Sequence, residues 1–102
     1  MEAIADGLPR VAAPDALGEW QWKRVVVLLG LSPQQARIVA RILEGKPDKQ
    51  IAREMGVRVP TVRTYLTRIF QRTGAADRVE LVLRVFACAA TLREHEGCRQ
   101  KR

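Results

Sequence analysis

The chain has 102 residues, 47% hydrophobic and 28% charged, which suffices for one domain with a modest core and no more. A net charge of +7 and a sequence pI near 10.4 select a polyanionic partner, with nucleic acid ahead of an anionic membrane. One His, few acids, and Cys88 and Cys98 at no zinc or redox spacing assemble no nucleophile–base set, carboxylate pair, metal cluster or phosphate loop, so neither enzyme activity nor a metal or cofactor is expected.

Residues 1–14 carry two Pro and a Gly among small residues without a period, and read as a flexible tail. No repeat or low-complexity tract occurs in the chain. Asp15 can cap a helix that runs to about Leu29 and stops at Gly30. Its apolar face is expected from Leu17, Trp20, Val25, Leu28 and Leu29, with Glu19, Lys23 and Arg24 in water. The β-branched run Val25-Val26-Val27 could form a strand, but a lone strand in a helical chain has nothing to pair with. This N-terminal helix, within residues 15–30, either packs on the domain or reaches a partner. Val25 to Leu29 is also the longest apolar run, far too short to span a bilayer, and no secretory segment precedes it; a cytoplasmic protein with reduced thiols is expected.

Ser32-Pro33-Gln34-Gln35 opens the next helix. Ser32 is the N-cap, Pro33 suits the first helical position, and Gln35 completes a capping box. Ala36, Val39, Ala40 and Leu43 line one face, widened by Ile38 and Ile42, and Gly45 ends it. A short Lys46-Pro47-Asp48 connection leads into Asp48–Arg72, which reads as two helices joined by a tight turn. Ile51, Ala52 and Met55 give the first an apolar stripe; Val59, Val62, Tyr65, Leu66 and Ile69 give the second another. Gly56 stands where the first helix must end in the left-handed conformation, and Ala52 where two crossing helices come closest. This spacing is that of a helix-turn-helix.

Gly74 stops the second of these helices, and Asp77 with Glu80 opens another, from Arg78 to about Leu92. This helix is apolar nearly all round. Leu81, Val82, Val85 and Ala89 are expected to close the domain. Val79, Leu83, Phe86, Ala87 and Ala90 then form an exposed apolar strip, which a second copy of the chain would cover. The alternative is that the N-terminal Trp helix covers it. Cys88 reads as a small core residue. Residues 93–102 read as a charged tail with His95 solvated.

On a helical wheel, Val59, Val62, Tyr65, Leu66, Ile69 and Phe70 fall in one arc, and Arg63, Thr64, Thr67 and Gln71 in the opposite one. A helix that lies in the major groove needs this division. Arg63 can donate a bidentate pair to guanine, while Thr64 and Thr67 can offer a hydroxyl to a base or a methyl to thymine. Thr61, near the helix start, suits a phosphate, as do Lys49, Arg58 and Arg68 at the margins. Between Lys46 and Arg78, eight basic residues face only Asp48, Glu54 and Asp77, which places +5 of the total +7 in this segment. Arg53 and Arg72 can instead bridge to Glu54 or Asp77.

The stretches LSPQQARIV, LEGKPDKQIAREMGV, TVRTYLTRIFQRTG and DRVELVL, within residues 31–83, resemble the DNA-binding domain of the LuxR/NarL/FixJ family of bacterial transcription regulators. The resemblance implies an all-α, four-helix domain over residues 31–92, to which this chain adds one N-terminal helix. It implies that the domain's third helix, about Val59–Arg72, reads the major groove and that the fourth forms a two-fold dimer interface. It places base reading on Arg63, Thr64 and Thr67, and backbone contacts on Lys49, Thr61 and Arg78. Three features depart from the family pattern. Gln34-Gln35 stands where Arg-Glu is usual, which keeps the capping box but removes a charge pair. Arg58 stands where Ser or Thr usually caps the third helix, and Thr67 where many members carry a longer polar or basic residue. The thirty residues before the domain are too few for the receiver or ligand-binding domain that members usually carry, so a stand-alone member is expected.

The expected function is therefore a sequence-specific, dimeric transcription regulator that binds double-stranded DNA, with RNA polymerase as a further partner and no membrane association. A protein-interaction module, which dimerises through the last helix and modulates a larger regulator without reading DNA, is the alternative from a different class.

Overall fold

The structure, a computed structural model, describes residues 17–100, and the side chains of residues 17–92. Among these the chain forms five helices and no strand: α1 Glu19–Leu29, α2 Pro33–Leu43, α3 Asp48–Met55, α4 Val59–Thr73 and α5 Arg78–Gln100. Asp15, the expected cap of α1, lies outside the described residues; the helix starts at Glu19 with Gly18 as its N-cap.

The face that α1 buries agrees with the expected one at Leu17, Val25 and Leu29 and departs from it at Trp20 and Leu28. Trp22 is 1% exposed and Val25 fully buried, with Val26 and Leu29 packed against the core, whereas Trp20 and Leu28 stand 49% and 56% exposed. Trp22, Val25, Val26 and Leu29 fit the i, i+3, i+4, i+7 spacing of one helix face, and Trp20 lies about 200° around the helix from Trp22. The Arg24 guanidinium sits over the outward Trp20 ring, 5.9 Å from its centroid. Helix α1 packs against α5, so it is part of the domain.

Helix α2 starts as its sequence dictates. Ser32 Oγ accepts from the Gln35 N–H at 3.1 Å, and Gln35 Oε1 accepts from the Ser32 N–H at 2.9 Å. Its apolar face is wide, because α2 packs on both α4 and α5: Ala36, Ile38, Val39, Ala40 and Ile42 are all buried. Ile51 and Ala52 of α3 join Val62, Leu66 and Ile69 of α4 on the other side of this core.

Between α3 and α4, Gly56 has φ +71°, and the Val57 N–H reaches back to the Ala52 carbonyl at 2.9 Å. Space for a Cβ exists, since nothing lies within 4 Å of that position. The cost of Gly56→Ala is therefore the left-handed backbone alone, about 1–2 kcal/mol. Chemical denaturation should show a lower midpoint with an unchanged slope; an unshifted midpoint would show that the turn relaxes to another conformation at no cost.

Helix α5 is longer than its sequence suggested. It continues to Gln100 rather than ending near Leu92, so the segment read as a charged tail is helical backbone over 93–100. Its residues are mostly good helix formers, and the one Gly, at 97, costs only about 1 kcal/mol. The side chains of His95 and Cys98 lie outside those described. At its start, Asp77 Oδ1 accepts from the Glu80 N–H at 2.9 Å, but Glu80 Oε1 takes the Ala76 N–H instead of that of Asp77. Leu81, Val85, Ala89 and Leu92 are buried, with Val82 and Cys88 half-buried. Burial pushes the Cys88 thiol above its ordinary pKa.

The far side of α5 is bare. Val79 and Leu83 are 69% and 62% exposed, Phe86 37%, and Ala87 and Ala90 are exposed as well. Helix α1 packs on α5 without covering them, so the alternative in which the Trp helix shields this strip is not what the chain adopts.

Candidate nucleic-acid interface

Helix α4 carries the interface because its inner arc is consumed by the core. Val62, Leu66 and Ile69 are buried, with Val59, Tyr65 and Phe70 packed at the edges. What remains for solvent is Pro60, Thr61, Arg63, Thr64, Thr67, Arg68, Gln71 and Arg72, all exposed. The expected base-reading set Arg63, Thr64 and Thr67 thus lies on one open face. Arg58 precedes the helix as an N-cap that makes no side-chain capping bond, and Lys49 stands exposed on α3.

Both threonines are tied back to the helix. Thr64 Oγ1 donates to the Pro60 carbonyl and Thr67 Oγ1 to the Arg63 carbonyl, each at 3.1 Å. Such back-bonding spends the hydroxyl proton within the helix. Each exposed side chain keeps a methyl and the hydroxyl lone pairs, groups that suit contact with a thymine methyl or a base donor.

Arg63 has a side chain 70% exposed, with Nε 3.8 Å from Asp48 Oδ2. Asp48 is also the partner of Arg78, whose guanidinium donates to Asp48 Oδ1 at 2.6 Å and to the Lys46 carbonyl at 2.6 Å. Arg78, expected at the DNA backbone, is thus half-buried and pins the start of α5 to the start of α3. The sequence carries no local sign of this contact, which joins residues 30 apart.

A second acid is enclosed by cations. Glu54 Oε1 accepts from Arg41 Nε at 2.7 Å and from Lys46 Nζ at 3.0 Å, and Oε2 accepts from Gln50 at 3.1 Å. The Lys46 and Arg41 bonds lower the Glu54 pKa from its ordinary 4.5 to about 2. A depressed carboxylate contributes stability that is complete above pH 4.5 and lost as the pH falls toward 2. The melting temperatures of wild type and Glu54→Gln should accordingly differ at pH 6 and converge between pH 4.5 and 2. A gap that stays constant through that range would show that the carboxylate charge is not what stabilises.

These pairings sort the basic residues of the segment. Lys46 is occupied by Glu44 and Glu54, and Arg78 by Asp48. Arg72 donates to the Gly30 carbonyl at 2.8 Å, and so is tied to the end of α1 and not to Asp77; Glu54 takes Arg41 and Lys46, and not Arg53. Lys49, Arg53, Arg58 and Arg68 form no ion pair with any described residue. Of these open cations, Arg58 and Arg68 belong to α4 and its N-cap and Lys49 and Arg53 to α3, while Asp48 and Glu54 are occupied by internal partners. Among the described residues no group of His, Cys, Asp or Glu could hold a metal ion, and no helix is long and apolar enough to cross a membrane.

Residues 29–85 match the model of the family described as bacterial regulatory proteins, luxR family, over more than half of the chain. The chain belongs to the luxR family. Its all-α fold and its helix-turn-helix over α3 and α4 are those of this family's domain. Among curated proteins it is 38% identical over 60 residues to the monoamine regulon transcriptional regulator of Klebsiella aerogenes, a stretch that covers 59% of this chain and 26% of that protein. It is 39% identical over 56 residues to the probable HTH-type transcriptional regulator GfsR of Streptomyces halstedii, covering 55% and 23%. With the transcriptional regulatory protein LiaR of Bacillus subtilis it shares 32% identity over 50 residues, 49% of this chain and 24% of LiaR. The chain thus spans about a quarter of the length of these relatives. No solved structure gives a significant match.

Proposed function

We propose that this luxR-family domain is a sequence-specific, double-stranded-DNA-binding transcription regulator that lays α4 in the major groove. The observation that carries this reading is the outer arc of α4. Arg63, Thr64 and Thr67 share an open face, and the exposed cations Arg58 at the α4 N-cap, Arg68 on α4 and Lys49 on α3 form no ion pair with any described residue. A phosphate-lined groove takes that arrangement: base edges meet the centre and phosphates meet the margins, with Thr61 near the helix start beside one of them. The relatives named as transcriptional regulators support the same reading.

The bare strip of Val79, Leu83, Phe86, Ala87 and Ala90 on α5 favours a two-fold dimer on DNA, since a helix face of this kind is self-complementary when a second copy packs against it. Regulation would work by occupancy of a promoter site in the cytoplasm, either recruiting RNA polymerase or obstructing it.

The test is selection of bound duplexes from a random pool at moderate salt. An enriched two-fold-symmetric sequence is the expected result. A single half-site would retain groove reading and remove the dimer, and binding without any enriched sequence would reduce the domain to a non-specific binder. Absence of binding would move the function to a protein-interaction module. With five or so phosphates contacted, log Kobs should fall against log salt with a slope of about −4 to −5.

A further inference from the structure

The C-terminal half of α4 borders a feature that the groove-reading residues do not use. Between it and the start of α2 lies an open cleft of about 490 Å³, lined by Gln35, Arg68, Gln71 and Arg72. All four side chains carry N–H donors, and no acid is among the described residues that line the cleft. Arg68 and Arg72, one helical turn apart, bring two positive charges to this lining with no carboxylate among its described residues, and like charges one turn apart repel unless an anion joins them.

Two of the four donors are held in place. Gln35 is only 8% exposed, and its Oε1 is committed to the Ser32 N–H, which fixes the amide orientation and leaves Nε2 with no protein acceptor among the described residues. Arg72 is anchored through one terminal nitrogen on the Gly30 carbonyl, and the rest of its fork remains available. Arg68 forms no ion pair with the described residues. Preorganised donors that converge on an open cleft suit a tetrahedral oxyanion, whose several oxygens accept from guanidinium and amide together.

The position of the cleft points to the source of that anion. Arg68 follows Thr64 by one helical turn and Arg72 follows Arg68 by another, while Gln71 follows Thr67. The stripe that begins at the base-reading face therefore runs directly into the cleft. We propose that the Gln35–Arg68–Gln71–Arg72 cleft is a phosphate-binding site that seats a backbone phosphate of the DNA strand beside the groove. This assignment rests on the reading of α4 as the groove helix, and adds to it a contact made from α2.

Gln35→Glu tests it with the fold preserved. A glutamate keeps the acceptor that the Ser32 N–H needs, and it also places a carboxylate among the two guanidiniums. Gln34→Glu is the control: it adds the same charge one residue away, where Gln34 Oε1 already accepts from Arg37 at 3.1 Å. Duplex affinity of the full chain, across a salt series, should drop for Gln35→Glu and the slope of log Kobs against log salt should become shallower by about one. Gln34→Glu should leave the slope unchanged. In a parallel arm, inorganic phosphate is titrated into free protein at constant ionic strength while the Gln35 side-chain amide is followed by NMR.

A shallower slope confined to Gln35→Glu supports the DNA phosphate. An unchanged slope, with the Gln35 amide shifting on phosphate addition in wild type, reassigns the site to free phosphate and overturns the DNA source. No effect in either arm overturns the site while leaving groove reading by α4 intact. Should wild type bind no duplex, the groove reading fails and the phosphate arm alone decides the cleft.

Discussion

Replacing Trp22 with Ala is expected to lower the unfolding free energy by about 3–5 kcal/mol, the usual range for truncating a fully buried Trp. Domains of this size hold a total of only about 5–15 kcal/mol, so this one change should remove a large share of it. Trp22 is 1% exposed and packs with Val25 into the seam where α1 meets α5. Its loss would open a cavity in that seam, and α1 could not collapse into the gap without withdrawing Val25 and Leu29. Trp22→Phe should cost much less, about 1.5 kcal/mol or below, as a partial loss of volume with the aromatic body retained. The indole N–H is buried without a hydrogen-bond partner among the described residues, so removing it relieves an unsatisfied donor and offsets part of the lost packing. Trp20→Ala, at a side chain half in water, serves as the internal comparison and should stay within about 0.5 kcal/mol of wild type. Equal losses at Trp20 and Trp22 in thermal or urea unfolding would show that α1 does not dock as described.

The two tryptophans also mark where sequence reasoning succeeds and where it stops. Elements bounded by local chemistry were legible: the Ser32–Gln35 capping box, the left-handed Gly30, Gly56 and Gly74, and the division of α4 into an apolar and a polar arc all stand in the structure. Each depends on residues within a single helix and its caps. The face of α1 was harder to read because its pattern is apolar on more than one side; Trp20, Val27 and Leu28 compete with Trp22, Val25 and Leu29, and only the packing of α5 decides between them. The extent of α5 was misjudged because a charged sequence with scattered helix formers resembles a frayed end whenever its tertiary context is unseen. The open arc of α4 was legible by periodicity, but the pairing of its neighbours was not. Arg78 with Asp48, Arg72 with the Gly30 carbonyl, and Arg41 with Glu54 join residues 30, 42 and 13 apart. No spacing rule reports contacts of that kind, and they decide which cations stay free for a partner. The cleft at Gln35 was invisible for the same reason: it forms from two helices that meet only after folding.

Arg63→Ala should weaken binding to the selected duplex by about 1–3 kcal/mol, roughly 5- to 150-fold, and relax base preference at one position of the site. The side chain is 70% exposed and buries nothing, so the melting temperature of the free domain should remain close to that of wild type. The size of the effect follows from geometry. A guanidinium presents two parallel N–H donors that match guanine O6 and N7, and no neighbour on α4 can replace them, because the Thr64 and Thr67 hydroxyls already donate to the backbone. Asp48 Oδ2 lies 3.8 Å from the Arg63 Nε, beyond hydrogen-bond reach, so the exposed guanidinium is free to turn its parallel donors to a base. Arg63→Lys keeps the charge but not the fork, and should recover the salt dependence without recovering the base preference. The comparison that decides the role is Lys49→Ala, an exposed cation on α3 that should weaken every duplex alike and reduce the salt slope by about one. Were Arg63→Ala to behave like Lys49→Ala, with all sequences weakened equally, Arg63 would be a phosphate contact. Base reading would then rest on Thr64 and Thr67, whose methyls distinguish thymine but leave guanine unread.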